Sequence, residues 1–419
     1  MGSEGRDNYL FSVPNAHKSC LTTKSDLPVN TEYYTKLTEK FLDTFYPKYC
    51  GSCNIQLRKK ISTREYLIRC EICHYQCSRL SYTPLHHFKL PLWLFGYVFE
   101  EAYLRSPKVL TATEIKRKTG VSYNTALLLK RRIQLFASEQ KESFRDLIYE
   151  KLESSFQEFR LPDSNGKGAV SEKNRIQSRR AEKVLKKAFK GKSQVNADTL
   201  VLFSASQRAN KGRRRHKHGG CTASIYMSAK LGGKQIGTLV HTIATSEGAL
   251  ILDSVPDQKM NTLGPLFLQN IPKIAPVFTD SAYPWLSSVY RNHRMVNHSA
   301  KSKDSRYRWA RNRWNKDGVH IQYAEGNHRV IKQAFSEYGY IRPEYSQLYL
   351  NEYCFFKNFK AFGMEKLVDQ NSVRNEGSKK GSAVVEVAKT RQMKNSIYES
   401  LLFAGKANFQ SNVRKVNKK

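Results

Sequence analysis

The sequence predicts a multidomain chain: a small cysteine-clasped ribbon, a pair of capped helices, and an α/β domain with a mixed sheet. Three observations carry that reading. Two Cys-x2-Cys pairs lie between residues 50 and 73, a helix–Gly–helix pattern follows at 111–136, and strand-like runs alternate with helical ones from 199 to 360. The chain has 419 residues, enough for two or three domains. Lys and Arg number 71 against 36 Asp and Glu, a formal net charge of +35, which argues for a polyanionic partner. Nucleic acid is the first candidate and an anionic membrane the second, but no run approaches the ~20 apolar residues of a spanning helix. The opening MGSEGRDNYLFSVPNAHKSC has neither the basic start nor the apolar centre of a signal peptide, and Arg6 breaks the myristoylation pattern. The expectation is a soluble, cytoplasmic, nucleoid-associated protein with no membrane partner.

Residues 1–46 read as a polar arm followed by a helix, with Tyr34, Leu37, Phe41 and Phe45 at helical spacing. Residues 47–85 read as the ribbon. Cys50 and Cys53 precede Cys70 and Cys73 by sixteen residues, enough for a short hairpin that brings the second knuckle back to the first. Four thiolates from two such knuckles close a tetrahedral zinc site with no open position, so this metal should hold the fold and support nucleic-acid contact, not do chemistry. Five of the eight cysteines fall within 28 residues, which points to metal in a reducing compartment and not to disulfides. Chance clustering of buried cysteines rarely gives both spacings. Cys77 is spare and packs as a small apolar residue; His74 is a neighbour.

Residues 86–140 read as a helix-turn-helix DNA-binding domain. A buried helix begins at the proline of LPLWLFGYVFEEAYL (90–104). In TATEIKRKTGVSYNTALLLKRRIQLF, Thr111 or Thr113 caps the first helix, Gly120 makes the turn and Ser122 caps the second. Ala126, Leu129 and Ile133 face inward, leaving Tyr123, Asn124, Lys130, Arg131 and Arg132 for groove and phosphates. An ordinary αα-hairpin with a solvated basic face is the plainer alternative. Residues 141–197 read as a helical and basic linker, the clearest domain boundary.

From 198 to 362 the α/β domain shows strand-like runs at 199–206, 221–231, 234–244 and 275–280, with helices at 263–271, 322–336 and 344–360. The basic run KGRRRHKHGG offers Lys211, Arg213, Arg214, Arg215 and Lys217 to phosphates, or is merely a solvated loop. Residues 363–419 are basic and poor in core residues, as in a disordered tail. Asp280 ends the fourth strand-like run. Glu325 and Lys332, seven residues apart, share one face of the helix that follows. In phosphoryl-transfer sites two divalent ions roughly 3.5–4 Å apart need several carboxylates around them.

By its four-cysteine spacing and the blocks LPLWLF, TGVSYNTALLLKRRI, VFTDSAYPWL, VNHSAK, HIQYAEGNHRVIKQAF and YLNEYCFFKN, the chain resembles zinc-ribbon, DDE-type insertion-sequence transposases over 47–136 and 199–360. The resemblance implies an α/β RNase H-like domain with a mixed five-stranded sheet flanked by helices. It also implies Mg or Mn at the carboxylates, strand cleavage and transfer, double-stranded DNA as partner at terminal inverted repeats, and a homo-oligomer on that DNA. Asp280 then inherits the second metal ligand. The block His-x-Asn-x-x-Glu, with Lys seven residues on, falls on His320, Gln322, Glu325 and Lys332, so Glu325 inherits the third acid. Asn297 and His298 lie near the site.

One departure stands out. The first-strand pattern Val-x-Val-Asp-Glu-Thr, set on VLFSAS, puts Ser204 where the first catalytic Asp belongs and Ala205 at the Glu. On that placement Asp198 is six residues, about 20 Å, too far upstream, and Asp253 is off the strand. The expectation is a transposase whose acid triad is incomplete, or a catalytically inactive DNA-binding derivative acting as a repressor. An RNA-binding zinc-ribbon protein is a weaker third reading.

Overall fold

Apolar residues at helical spacing and an Asn30 cap make residues Thr31–Phe45 the first helix, α1. The computed structural model describes residues 30–363, apart from 62, 163–171, 203–237, 304, 311–312 and 342. The expected tail at 363–419 therefore lies almost wholly outside the described residues, as do the strand at 221–231 and the basic run at 211–217.

The ribbon is a three-stranded antiparallel sheet, β1 (Lys59–Ile61), β2 (Arg64–Arg69) and β3 (Gln76–Ser78). It docks on α1 through charge: Arg79, buried, gives two 2.6 Å hydrogen bonds to the Asp43 carboxylate, and Lys60 pairs with Glu39. Helix α2 (Leu92–Arg105) starts at Pro91, as its sequence predicts, and crosses α1 at Gly96. A Cβ there would lie 2.4 Å from the Tyr34 carbonyl oxygen, so the two backbones meet only because Gly has none.

Helices α3 (Ala112–Thr119) and α4 (Tyr123–Glu139) follow the predicted caps closely. Thr111 and Glu114 form a reciprocal capping box, Gly120 takes φ 74°, and the Ser122 hydroxyl accepts from the Thr125 N–H. Ala126, Leu129 and Ile133 are buried. Helices α5 (Lys141–Phe156) and α6 (Glu172–Ala188) fill the expected linker. They do more than link, because Ile148, Leu152 and Phe156 of α5 belong to the core under the large sheet.

That sheet has five strands in the order β6-β5-β4-β7-β8: β4 (Val195–Leu202), β5 (Thr238–Thr245), β6 (Leu250–Ser254), β7 (Val277–Asp280) and β8 (His293–Val296). The β6-β5-β4 side is antiparallel and the β4-β7-β8 side parallel, a mixed sheet that fits an RNase H-like domain. Two of its strands, β6 and β8, were not expected from sequence; LILDS and HRMV are too short to show alternation. Period-two burial sorts β4 onto two cores. Val195, Ala197 and Val201 face α5 and α7 (Met260–Asn270), whereas Leu200 and Leu202 face α8 (Gln322–Phe335) and α9 (Pro343–Ala361). Phe355 and Phe359 of α9 join Phe41, Phe99 and Phe136 in an aromatic cluster that ties α1, α2 and α4 to the sheet domain.

Candidate functional site

The first strand begins earlier than its sequence predicts. The described part of β4 spans Val195–Leu202, so it starts ahead of the expected 199–206, and Ser204 lies outside the described residues. The acid of this strand is Asp198. Ala197 is in register with Thr279 across the parallel β4-β7 pair, so the next residues, Asp198 and Asp280, stand side by side on strands ~4.8 Å apart and on the same face. The 20 Å objection to Asp198 holds only with the pattern set on VLFSAS. Set on Val195–Leu200 instead, the pattern Val-x-Val-Asp-Glu-Thr reads Val-Asn-Ala-Asp-Thr-Leu, and its Asp falls on Asp198.

Both aspartates are held alike. One oxygen of Asp198 accepts the Thr199 N–H at 2.8 Å, and one oxygen of Asp280 accepts the Ser281 N–H at 2.6 Å. Glu325 arrives from the first turn of α8, where the helix N-terminus favours negative charge. The start of that helix is pinned to the same strand, because the Tyr323 N–H donates to the Asn196 side chain at 3.1 Å. His298 stands with its Nδ1 3.1 Å from Glu325 Oε1, and His328, one turn along α8, has Nδ1 3.7 Å from Asp198 Oδ2.

The electrostatics show the crowding. Burial pushes the Asp198 carboxyl up to about 7, with further upward pressure from Asp280 and Glu325, against the Thr199 N–H and His298. Burial lowers His298, but its hydrogen bond to Glu325 and the charges of Glu325, Asp280 and Asp198 outweigh that and raise it. Burial drops His328 to about 3, with help from Lys332, so it is neutral. Lys332 is half-buried and acts on His328; no contact with Glu325 is present among the described residues. Gln322 is exposed at the helix start, and Asp253 is engaged elsewhere with Lys141.

Whether divalent ions fit can be judged from these donors. Mutually repelling carboxylates with hard oxygen atoms suit Mg or Mn. The Nε2 atoms of His298 and His328 are buried without a hydrogen-bond partner among the described residues. The acids do not draw together as four ligands of one ion do; among the described residues only the cysteines form a group of three or more whose ligand atoms all lie within 4.8 Å of one another.

Cys50, Cys53, Cys70 and Cys73 form that tight group, compatible with structural zinc. Each knuckle uses the same backbone device: Asn54 and His74, the residues after the second cysteines, take φ 55° and 60°. The N–H groups of Cys50 and Cys70 then bond the carbonyls of Ile55 and Tyr75 at 2.9 and 2.8 Å. His74 is exposed and Cys77 packs against the ribbon core, as expected.

The α4 surface differs from its expectation. Tyr123 and Asn124 are exposed. Lys130 is not: it is 2% exposed, and its Nζ reaches Leu110 O at 2.6 Å, Glu352 Oε1 at 2.7 Å and the Tyr338 hydroxyl at 2.9 Å. Arg131 lies over the Tyr349 ring at 5.1 Å, and Arg132 donates to Pro84 O at 2.8 Å. All three basic side chains thus have internal partners. Position 130 shares the helical face of Ala126 and Ile133, so the charge misled where the periodicity did not.

Among the described residues no helix is long and apolar enough to cross a membrane. No curated protein and no solved structure gives a significant match to the chain. Residues 207–358 do match a family, the ISXO2-like transposase domain. The matched segment holds Asp280, His298, Glu325, His328 and Lys332, and it begins nine residues after Asp198. With the mixed five-stranded sheet beneath it, this match supports a DDE-type insertion-sequence transposase domain over residues 207–358.

Proposed function

We propose that the protein is a DNA transposase of an insertion sequence that cleaves and joins strands at its element's ends with a complete acidic triad, Asp198, Asp280 and Glu325. The observation that carries this is the side-by-side register of Asp198 and Asp280, with Glu325 close enough to raise the Asp198 carboxyl. The inactive, repressor-like alternative rests on Ser204 as the first-strand acid position; Ser204 lies outside the described residues, and Asp198 is the acid that the described part of β4 carries.

Two divalent ions held here would activate the attacking oxygen and stabilise the leaving one. The chain's own part is orientation. The Thr199 and Ser281 N–H groups fix one oxygen of each aspartate, which leaves the others for the ions. His298, with its Nδ1 3.1 Å from Glu325 Oε1, aims that carboxylate; such partners tune a ligating carboxylate. Neutral His328 closes the apolar side of Asp198. Lys332 supplies a positive charge near a bound phosphate backbone. The zinc ribbon and the basic run 211–217 supply salt-dependent contact with double-stranded inverted repeats, where two or more copies assemble, and the exposed Tyr123 and Asn124 at the start of α4 offer polar contacts to the same DNA.

Plasmid nicking and strand transfer in Mg²⁺ or Mn²⁺ test this reading. Wild-type and Ser204→Ala protein should cut. Asp198→Asn, Asp280→Asn and Glu325→Gln should each lose at least about a hundredfold in rate, since a two-ion site fails when a ligand is removed. An active D198N protein, or an inactive S204A one, would refute the assignment of the first acid.

A further inference from the structure

Between β8 and α8, beyond His298, runs a segment that belongs to neither site above. Residues 301–317 carry seven basic side chains and two acidic ones. The chain folds back on itself there: Lys301 bridges Trp309 in antiparallel fashion, and the Ala310 N–H donates to Ala300 O at 2.9 Å. Asp317 and Gly318, at φ 58° and 87°, then turn it towards the buried Val319 and into α8.

This frame presents an alternating stack. The Arg308 guanidinium lies 4.9 Å from the Trp309 ring; Arg313 lies 5.0 Å from Trp309 and 4.7 Å from Trp314. Trp314 in turn sits 4.6 Å, ring to ring, from His298, the partner of Glu325. The stack thus runs from solvent to the carboxylate cluster. Trp309 and Trp314 are 36% and 46% exposed, a large apolar surface for a protein to leave in water beside its reactive centre.

The chemistry of the stack selects its ligand. A guanidinium stacked on an indole has its faces covered but keeps its N–H edges for phosphate oxygens. An exposed indole offers a surface to a nucleobase, and stacking of that kind is indifferent to base identity. Paired bases in a duplex are already stacked on each other and cannot reach it. Unpaired nucleotides can use both features at once.

We infer that the Arg308–Trp309–Arg313–Trp314 stack is a track for an unpaired DNA strand leading into the carboxylate cluster, with phosphates on the guanidinium edges and bases on the indoles. The inference rests on the reading of that cluster as a strand-cleavage site, and it specifies the state in which the DNA is held there.

Binding without metal separates the two. Full-length protein in EDTA is titrated against labelled duplexes of one sequence, either blunt or ending in a short single-stranded tail, and followed by fluorescence anisotropy. Wild-type protein should prefer the tailed duplex. W309A/W314A should lose about tenfold or more in affinity for the tailed duplex and little for the blunt one. W309F/W314F, which keeps a ring at each position and guards against loss of fold, should retain most of the preference, and R308Q/R313Q should lose it. Equal weakening on both duplexes in the alanine variant, or an unchanged preference in both the alanine and glutamine variants, would overturn the track. D198N should bind the tailed duplex as the wild type does, so an inactive cluster leaves this measurement intact.

Discussion

At the scale of single residues, Asp198 is the first acid of the proposed triad, and its environment makes a testable statement about stability. Its carboxyl is raised from 3.8 to about 7 in the folded chain, chiefly by burial. A raised pKa means that the native state binds the proton more tightly than the unfolded one. The stabilising effect of the protonated form is complete below about 4 and is lost as pH rises through about 7. Without divalent ions, Asp198→Asn should therefore be more stable than wild type at pH 8, by roughly 1–3 kcal/mol, with the gap closing towards pH 4. Urea midpoints in EDTA at the two pH values measure this; a D198N protein less stable than wild type at pH 8 contradicts it. Asp280 and Glu325 were legible in sequence because each ends or begins a strongly patterned element. Asp198 was not. Its strand begins Val-Asn-Ala-Asp-Thr, with Ala and Thr where Val and Glu were sought, whereas TLVLFSAS looked the better strand by apolar content alone. What places Asp198 is pairing with β7, a contact some eighty residues away that local pattern cannot show.

At the scale of elements, α3 and α4 show where local signals suffice and where they stop. The Thr111 box, the Gly120 turn and the Ser122 cap are short-range, and the structure has all three. The fate of Lys130 is long-range: its partner Glu352 lies 222 positions on, in α9, and a second hydrogen bond at 3.1 Å joins Gln134 to that carboxylate. Burial pulls the Lys130 pKa down while Glu352 holds it up. Removing one member leaves the other charge buried alone. Lys130→Met should cost about 3–5 kcal/mol, and the double change K130M/E352L should recover most of it. A double-mutant cycle on unfolding midpoints measures the coupling, and additive effects would show that the pair is not a unit.

At the scale of the whole molecule, the ribbon was the most readable part, since metal-ligand spacing is a covalent constraint that needs no tertiary information. Protein purified without added zinc should carry one zinc per chain, and Cys70→Ser should abolish it. Stripping the metal should release hydrogen-exchange protection across β2 while leaving β4 and β5 protected, because the ribbon core is a separate small cluster. Loss of protection in both regions together would mean that the zinc holds more than the ribbon. The mixed sheet was foreseen as a class, but only in part as strands: β6 and β8 are short, and their order across the sheet follows from pairing that no local window contains.

The burial of Lys130 has a consequence for how the molecule measures length. Because the second helix of the α3–α4 pair is fastened to α9, and α9 packs on the same core as α8, which carries Glu325, these parts cannot swing independently without exposing a lone charge. On the proposed function, a duplex gripped at the exposed end of α4 would be presented to the carboxylates at a set offset, counted in base pairs. The protein would then act as a ruler, with the position of the cut relative to the gripped sequence written into one buried ion pair.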